Sequence, residues 1–505
     1  MKTAKKCIAI TVSLLLILSS LSFFSMAEGP GGQGGPGGAG GPGGGSEPSY
    51  SGATTITDSV NETGTKYTSS SGSENALLAS GGESTLKSIT VSKTGDASDE
   101  NSDFYGTNAA VLAYNDATLN LSDATVTTAA GHANAVFAYG SGVINISDST
   151  IKTTGNNSGA VMVTGGGTLT ATNVVAETDG KSSAPIRSDR GGGTLTVNGG
   201  KYTANGQGSP AVYSTADITV NDASLKSTSA EGVVIEGKNS VTLNNTTLSD
   251  NNITLNGNSE TYKNIFIYQS MSGDADEGAG SFAAKNSTIT TEHGDSFFVT
   301  NTTAVIELTG NTITNKDESG ALLRIQSGKW GNSGSNGGDV TLSANQQSLE
   351  GDVVVDNIST LKMSLKNSST YSGTINTANT AKSIDLVLDK SSTWTLTGDC
   401  YISSLENEAE DNSNINLNGH TLYVNGKAIT STAYSAAQTK TTAKAVQTTT
   451  AAVQAQPEES SQSNSKVIVM IIAAAVLAIG GTTTAVIMIK RKKKGALKLS
   501  SKSGH

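Results

Sequence analysis

The 505-residue chain is poor in the side chains that most often carry chemistry or covalent cross-links. It has only two cysteines, Cys7 and Cys400, together with four arginines, four histidines and seven prolines. Two cysteines cannot form the disulfide framework that stabilises small secreted domains. His132, His293 and His420 lie far apart and match no metal-binding or catalytic-triad spacing. The fold must therefore depend on an apolar core and on backbone hydrogen bonds.

Basic residues are also scarce between the two ends of the chain. Residues 28–465 contain 22 Lys and Arg against 43 Asp and Glu, a net charge of −21. The formal charge of the whole chain is only −10, because its two termini are basic. Nucleic-acid binding requires a basic patch that neutralises phosphates. The composition therefore argues against nucleic acid as a partner.

The chain contains a repeat instead. A motif of alternating apolar residues, closed by Asp, Asn or Gly, recurs at intervals of 23 to 26 residues, with two longer intervals of 41 and 34 residues. A period of this size is typical of a solenoid, in which each repeat buries its apolar face against its neighbours. The first apolar residues of the nine copies are Leu119, Ile144, Leu169, Leu195, Ile218, Val241, Phe282, Ile306 and Val340.

Within each repeat the composition favours strands over helices. Residues 110–126 and 135–151 align as AVLAYNDATLNLSDATV and AVFAYGSGVINISDSTI, and each segment offers three short apolar stretches. Alternation of apolar residues with Thr, Ser and Asn at a period of two indicates strands with one buried and one wet face. We therefore expect three short strands per coil.

The position that closes the second strand of each coil predicts a sharp turn. Asp, Asn and Gly share a tolerance of the left-handed backbone region, so we expect a positive φ there and hydrogen bonds between stacked side chains. An ordinary polar loop is the alternative. Successive copies carry Asp123, Asp148, Asn173, Gly199, Asp222, Asn245, Asn286 and Gly310 at this position.

The coils LNLSDATV and INISDSTI resemble those of the right-handed parallel β-helix in the pectate-lyase-like superfamily. The resemblance covers residues 50–430, includes the segment 392–429, and is closest to the adhesin-like bacterial surface proteins of that group. It implies an all-β fold, a right-handed parallel β-helix solenoid. It does not decide the activity, because this superfamily holds lyases, hydrolases and non-enzymatic adhesins.

Both ends of the chain carry targeting signals. Residues 1–27 are typical of a secretory signal peptide, and residues 28–49 of a flexible Gly/Pro-rich linker. An Ala/Thr/Ser-rich stalk is predicted over 431–466, followed by a transmembrane helix over 467–489 and a basic cytoplasmic tail over 490–505. We expect a single-pass membrane protein whose ectodomain lies outside the cell, on a Gram-positive bacterial surface.

One dense charge cluster lies inside the regular coils, at Arg187, Asp189 and Arg190. The resemblance implies that a lyase would use an arginine base with carboxylate-bound calcium, and Arg187 or Arg190 would be that base. No carboxylate group recurs one coil away at the same position, as a calcium site would require. We therefore favour solvated charges at a coil corner and predict no catalytic residue.

Two acidic loops are the candidates for calcium, since carboxylates beside glycine can wrap a hard cation. Solvated acidic loops without a ligand are the alternative. No other cofactor or metal is predicted. The carboxylates are Asp96, Asp99, Glu100 and Asp103 in the first loop and Asp274, Asp276 and Glu277 in the second.

The two long intervals contain insertions, residues 250–281 and 327–339. Long loops on a rigid solenoid commonly carry recognition. The second insertion places Trp330 in a Gly-rich loop, where it could stack on a sugar ring or fold back as a plug, and both interpretations stay open. Trp394 and Cys400 are predicted to pack inside the fold.

The sequence thus predicts a membrane-anchored β-helix protein that acts as a non-enzymatic adhesin or carbohydrate-binding module. Its partner would be a glycan or another extracellular or host surface ligand, with Trp330 as the candidate contact. A surface polysaccharide lyase or glycoside hydrolase is the alternative. Converging charges on one sheet face would favour the enzyme, and exposed aromatic side chains would favour the adhesin. The oligomeric state is left open.

Overall fold

The alternating segments fold as short parallel strands that stack coil upon coil. The computed structural model describes residues 48–98, 101–255 and 259–432. Over this part the chain forms an all-β parallel solenoid of the right-handed type with about 15 turns. Each regular coil gives one strand to each of three sides, which confirms the predicted three strands per coil.

The three sides are a 12-stranded, a 14-stranded and a 10-stranded parallel sheet. The 12-stranded sheet contains Thr55–Ile56, Leu77–Ser80, Val111–Tyr114, Val136–Tyr139, Val161–Thr164, Ile186–Arg187, Val212–Ser214, Val233–Glu236, Lys263–Tyr268, Asp295–Thr300, Leu323–Ile325 and Val353–Val355. The 14-stranded sheet contains Asn61–Thr63, Glu83–Lys87, Thr118–Ser122, Val143–Ser147, Thr168–Thr172, Thr194–Asn198, Asp217–Asn221, Ser240–Asn244, Ala279–Lys285, Thr302–Thr309, Gly338–Asn345, Thr360–Lys366, Ser383–Leu388 and Ser404–Asn407. The 10-stranded sheet contains Lys66–Ser69, Thr90–Lys93, Thr125–Thr128, Thr150–Thr153, Val175–Thr178, Lys201–Ala204, Ser224–Ser227, Thr247–Ser249, Thr288–Thr291 and Thr312–Asn315.

Two small sheets continue the sides in the last coils. A bridge between Val353 and Ile375 extends the side of the 12-stranded sheet toward the three-stranded one. The four-stranded sheet contains Ser348–Glu350, Thr370–Ser372, Thr393–Thr395 and Ile415–Asn416, and the three-stranded sheet contains Cys400–Ile402, Leu422–Val424 and the antiparallel strand Lys427–Ala428.

The predicted repeat register is confirmed for the first eight copies and wrong for the ninth. Leu119 pairs with Ile144, and the column continues in register through Ile306. Ile306 then pairs with Leu342, whereas Val340 pairs with Ala304. The last interval is therefore 36 residues, because the strand begins earlier and both residues face the core.

The inward side chains of all sides form one continuous apolar core. Leu169, Leu195 and Ile218 stack in one column and are each at most 1% exposed. Burying such a side chain contributes about 1.5–3 kcal/mol relative to leaving it in water. Because every coil repeats this burial against its two neighbours, the stack needs no disulfide.

The strand-closing position adopts a positive φ in all eight copies, as predicted. Its values run from 50° at Asp148 to 71° at Gly199. The side chains also pair along the stack: Asn173 Nδ2 donates to Asp148 Oδ1 at 3.2 Å, and Asn245 Nδ2 to Asp222 Oδ1 at 3.1 Å. The turn prediction is therefore confirmed over the ordinary-loop alternative.

The last coils bury the two residues predicted to pack inside. Trp394 is fully buried, stacks on Tyr371 with 5.9 Å between ring centroids, and donates its indole N–H to the Gly373 carbonyl at 3.1 Å. Cys400 is also fully buried, and burial raises the pKa of its thiol to about 12. Both predictions are confirmed.

Helices are rare in the described part of the chain: an α-helix, Asn101–Tyr105, and a 3₁₀ turn, Glu410–Asn412. None of the helices within residues 48–98, 101–255 and 259–432 is long and apolar enough to span a bilayer. The predicted signal peptide, transmembrane helix and basic tail lie outside the described residues, as do all but two residues each of the linker and the stalk.

Replacing Asn245 with Val should destabilise the solenoid by about 1–2 kcal/mol, because a β-branched residue opposes the left-handed backbone at this exposed turn. The matched control is Thr242→Val, a half-buried strand position where a change of at most about 0.5 kcal/mol is expected. The urea midpoint of the circular dichroism signal measures both. Equal midpoints would contradict the turn argument.

Candidate functional site

The outer face of the 12-stranded sheet gathers most of the unusual side chains of the solenoid. One apolar cluster on this face comprises Leu78, Leu112, Phe137 and Met162, and it is fully or almost fully buried. Gly106, which follows the helix Asn101–Tyr105, comes so close that an added Cβ would lie 3.0 Å from Leu112 and Phe137. The helix end therefore covers the sheet at this point.

Farther along the same face the two predicted insertions meet. The first supplies the strand Lys263–Tyr268, and the second supplies Trp330. The Trp330 ring lies 5.3 Å from the Phe266 ring and 5.2 Å from the Tyr268 ring. Lys329 Nζ also contacts Glu260 at 3.0 Å. Two loops that are about 70 residues apart in sequence thus share one surface because both leave the same side of the stack.

Trp330 is half-buried against these rings. Its backbone carbonyl accepts a hydrogen bond from Asn336 Nδ2 of the same loop at 2.8 Å, and the Asn336 carbonyl accepts from the Asn301 N–H at 3.1 Å, which ties the loop to the neighbouring coil. The ring therefore packs back as in the plug interpretation, and part of it remains accessible to solvent. Ligand binding by Trp330 stays a prediction.

Exposed apolar side chains concentrate on the first insertion. In the described part of the chain five large apolar residues are exposed, and four of them lie within residues 250–281. Met271 is the most exposed at 69%, and Val175 is the single one outside the insertion. We call the insertion patch the set Ile253, Leu255, Tyr262, Met271 and Trp330.

The charge cluster predicted at a solvated corner is buried at Arg187 and half-buried at Asp189 and Arg190. Arg187 is 7% exposed and pairs with Asp189, whose pKa is raised by burial against the opposing effect of the Arg187 charge. Arg190 donates from Nε to Asp274 at 2.9 Å, and its guanidinium lies 3.8 Å from the centre of the Phe104 ring. The solvated interpretation was wrong because a helix from another coil covers these residues.

A histidine–carboxylate pair lies beside this cluster. His132 Nδ1 is 2.7 Å from Asp103 Oδ2, and His132 Nε2 is 3.2 Å from Asn157 Nδ2. Burial raises the pKa of Asp103, an effect that the charge of Arg187 opposes. Sequence spacing did not reveal the pair, although Asp103, His132 and Asn157 follow one another at roughly one-coil intervals.

Glu236 is a second buried carboxylate on the same face, 1% exposed. It accepts hydrogen bonds from the hydroxyls of Tyr213 at 2.7 Å and Tyr268 at 2.9 Å, and from that of Ser270. Burial raises the pKa of both tyrosines well above its usual value, and the Glu236 charge adds to this. The carboxylate therefore ties the loop at Ser270 to the sheet. No sequence signal identified it.

Four carboxylates of the two acidic loops, those of Asp96, Asp103, Asp274 and Asp276, contact groups of the chain itself. Asp96 Oδ1 accepts from the Gly131 N–H at 2.7 Å, Asp274 pairs with Arg190, and Asp276 lies 2.8 Å from Lys238 Nζ. Over the described ranges no three His, Cys, Asp or Glu side chains gather in a metal-binding arrangement. Asp99 and Glu100 lie outside the described residues. Calcium binding stays a prediction.

A separate groove of about 500 Å³ lies at the C-terminal end of the solenoid. Tyr401 and Tyr423 stack in it almost parallel, with ring centroids 4.8 Å apart and an interplanar angle of 3°. Asn376, Asn379 and Asn425 line the groove together with other uncharged residues. Half-buried aromatic rings beside amides can bind a neutral polar ligand. The sequence predictions concentrated on the insertions and missed this groove.

Comparison of the chain with known protein families, characterised proteins and solved structures finds no match.

Replacing Arg190 with Ala should loosen the loop that carries Asp274, because it removes a partly buried hydrogen bond between charged groups. The loss of about 1.5–3 kcal/mol predicts roughly tenfold or faster amide exchange over residues 270–278. Lys238→Ala is the matched control, since its ion pair to the same loop is exposed and contributes at most about 1 kcal/mol. Hydrogen–deuterium exchange read by mass spectrometry distinguishes them, and equal exchange would show that Arg190 does not hold the loop.

Proposed function

We propose that this protein is a membrane-tethered surface protein whose solenoid displays a non-catalytic binding site for a glycan or another extracellular ligand. The insertion patch carries this proposal. Exposed large apolar side chains are unfavourable in water, and their concentration on one segment commonly marks an interaction site. Here four of the five exposed large apolar side chains of the described residues lie on one insertion. The predicted signal peptide and transmembrane helix support a position outside the cell.

The solenoid suits display because its coils are rigid and its insertions are not part of the repeat. The Phe266, Tyr268 and Phe298 rings pack against Trp330, and Glu236 anchors the loop at Ser270. Side chains held on such a support lose less conformational freedom when a ligand binds. The resemblance to adhesin-like surface proteins agrees with this role.

The groove at Tyr401 and Tyr423 is a second candidate contact, separate from the insertion patch, for a neutral glycan. Its lining residues carry no charge, so the proposal concerns neutral sugars whose hydroxyls meet the asparagine amides. The net charge of −21 over residues 28–465 is consistent with ligands other than nucleic acid.

A surface polysaccharide lyase or hydrolase is the second candidate, favoured by one observation. Asp103, His132, Arg187 and Asp189 do converge on one sheet face. All four are paired, His132 with Asp103 of the helix Asn101–Tyr105 and Arg187 with Asp189, so catalysis would require these pairs to open. Paired charges are more typical of a structural cluster than of an open active site.

The deciding experiment applies the full chain in mild detergent to a glycan and extracellular-matrix array. The same preparation is incubated with acidic polysaccharides, with and without calcium, and assayed for unsaturated or reducing-end products. Retention on a defined ligand without product supports the binding protein. If products are released, and if the Arg187→Lys variant releases none, the protein is a lyase or hydrolase and the binding-protein proposal is wrong.

Trp330→Ala should leave the circular dichroism unchanged and weaken retention of the array ligand about tenfold or more, because a large aromatic contact is lost. Val175→Ala serves as control, since Val175 is 50% exposed but lies outside both insertions. Unchanged retention by Trp330→Ala would remove that side chain from the proposed site.

Tyr423→Ala should weaken retention of neutral glycans by a few-fold to about tenfold, since ring stacking contributes about 0.5–1.5 kcal/mol beyond area burial. Tyr423→Phe keeps the ring and should retain most of the binding. Titration of the array glycans by surface plasmon resonance compares the two variants. Equal losses in both would assign the effect to the hydroxyl and not to stacking.

A further inference from the structure

The amine of Lys263 is held against a carboxyl group inside the fold. Lys263 is 1% exposed, and its Nζ lies 3.5 Å from Glu231 Oε1 on the preceding coil. The Phe266 and Phe298 rings lie 4.4 Å and 5.4 Å from the same nitrogen. Glu231 is itself 7% exposed. Water is therefore largely excluded from the contact between the two functional groups.

The hydrogen bonds of Lys263 orient its amine. Nζ contacts Ser259 Oγ at 2.9 Å and the Thr261 carbonyl oxygen at 2.8 Å. A neutral amine has two N–H bonds and one lone pair, so these two contacts can use both hydrogens. The third direction points to Glu231: the protonated amine donates its third N–H there, and in the neutral amine that direction is left to the lone pair. At 3.5 Å the contact between Nζ and Oε1 is longer than a usual charged hydrogen bond.

Burial also favours the neutral, nucleophilic form of the amine. It lowers the pKa of Lys263, an effect that the charge of Glu231 opposes. An unprotonated lysine in an apolar site is the form that attacks carbonyl carbon.

Asp250 is a third buried acidic or basic residue near this pair, and the Glu231 charge acts on it. It is 1% exposed, and burial raises its pKa to about 7, with the nearby Glu231 charge adding to the rise. Its Oδ1 accepts from the Glu292 N–H at 3.0 Å and its Oδ2 from the Asn252 N–H at 3.3 Å, which hold the carboxyl in place. A carboxyl group that keeps its proton near neutral pH can act as a general acid.

We propose that Lys263 and Glu231 condense spontaneously to an isopeptide bond, with Asp250 as the proton-transfer residue. Nζ adds to Cδ of the Glu231 carboxylate, Asp250 gives its proton to one carboxylate oxygen, and an N–H proton passes to the same oxygen. The C–O bond then breaks, one water leaves, and an amide joins the two side chains. No oxidant, reductant or cofactor takes part.

Two other lysines serve as internal comparisons. Lys93 is as buried as Lys263, but its amine donates to the backbone carbonyls of Ser71 and Gly95. Lys316 is closer to a carboxylate, 2.7 Å from Glu292, but both side chains are exposed to water. Burial and a facing carboxyl group occur together at Lys263, so neither comparison residue should react.

Peptide mapping of the full chain, denatured and digested with trypsin, tests the bond directly. Trypsin does not cleave after a lysine whose amine is acylated. The expected product is therefore a branched species in which residues 227–238 are joined to residues 239–285, lighter than the sum by one water. Fragmentation should place the link between Glu231 and Lys263, and the peptides of Lys93 and Lys316 should be unmodified.

Lys263→Met should abolish the branched species, and Asp250→Asn should slow its formation on the order of 100-fold, because the proton-transfer group is lost while its shape is kept. Recovery of wild-type Lys263 as an ordinary tryptic terminus would overturn the proposal and leave a buried ion pair. A link from Lys263 to a different side chain would overturn the assignment of Glu231. An unchanged rate in Asp250→Asn would overturn the role of Asp250. The wild-type map decides the bond even where a variant fails to fold.

Discussion

Parallel in-register stacking is the constraint on which the rest of this structure depends. Every residue lies about 4.8 Å from its counterpart in the coils above and below. The side chain at each position of a coil must therefore be compatible with the side chains at the same position in the two neighbouring coils. Apolar residues satisfy this inside the core, amides satisfy it by pairing Asn173 with Asp148 and Asn245 with Asp222, and a buried charge can satisfy it by facing a charge of opposite sign. Lys263 accordingly pairs in register with Asp295, which Arg324 also contacts at 2.6 Å.

The same stacking constraint decides where the solenoid can accommodate insertions and buried charges. Insertions must leave the stack at a corner so that the strands on either side keep their register. Both insertions do so beside the 12-stranded sheet, and their side chains cover its outer face together with the helix Asn101–Tyr105. Buried charge therefore accumulates outside the solenoid core on one side, whereas the outer rows of the regular 14-stranded coils are mainly Thr, Ser and Asn.

Predictions from the sequence were most accurate where one coil repeats the last. The turn positions, the core columns and the burial of Trp394 follow from local residue types and a fixed period. The shift at Val340 followed an insertion, where the period no longer gives the register. Arg187 was misjudged because its cover comes from an earlier coil and has no repeat of its own.

The residue pairs of the candidate sites also fall into two groups, those that the repeat period could have revealed and those that it could not. Asp103 and His132, or Tyr213 and Glu236, lie about one coil apart, so writing the sequence in coils would have brought each pair together. Glu231 and Lys263 are separated by the first insertion and could not be aligned by period.

The contacts between the outer face of the 12-stranded sheet and the segments packed on it also have a mechanical consequence. Thr164 donates to the Phe104 carbonyl 60 residues earlier, and Arg190 reaches Asp274 84 residues later. A pulling force could otherwise unfold the solenoid one coil at a time. Here it must first break these long-range hydrogen bonds, so the coils between the bonded residues unfold together.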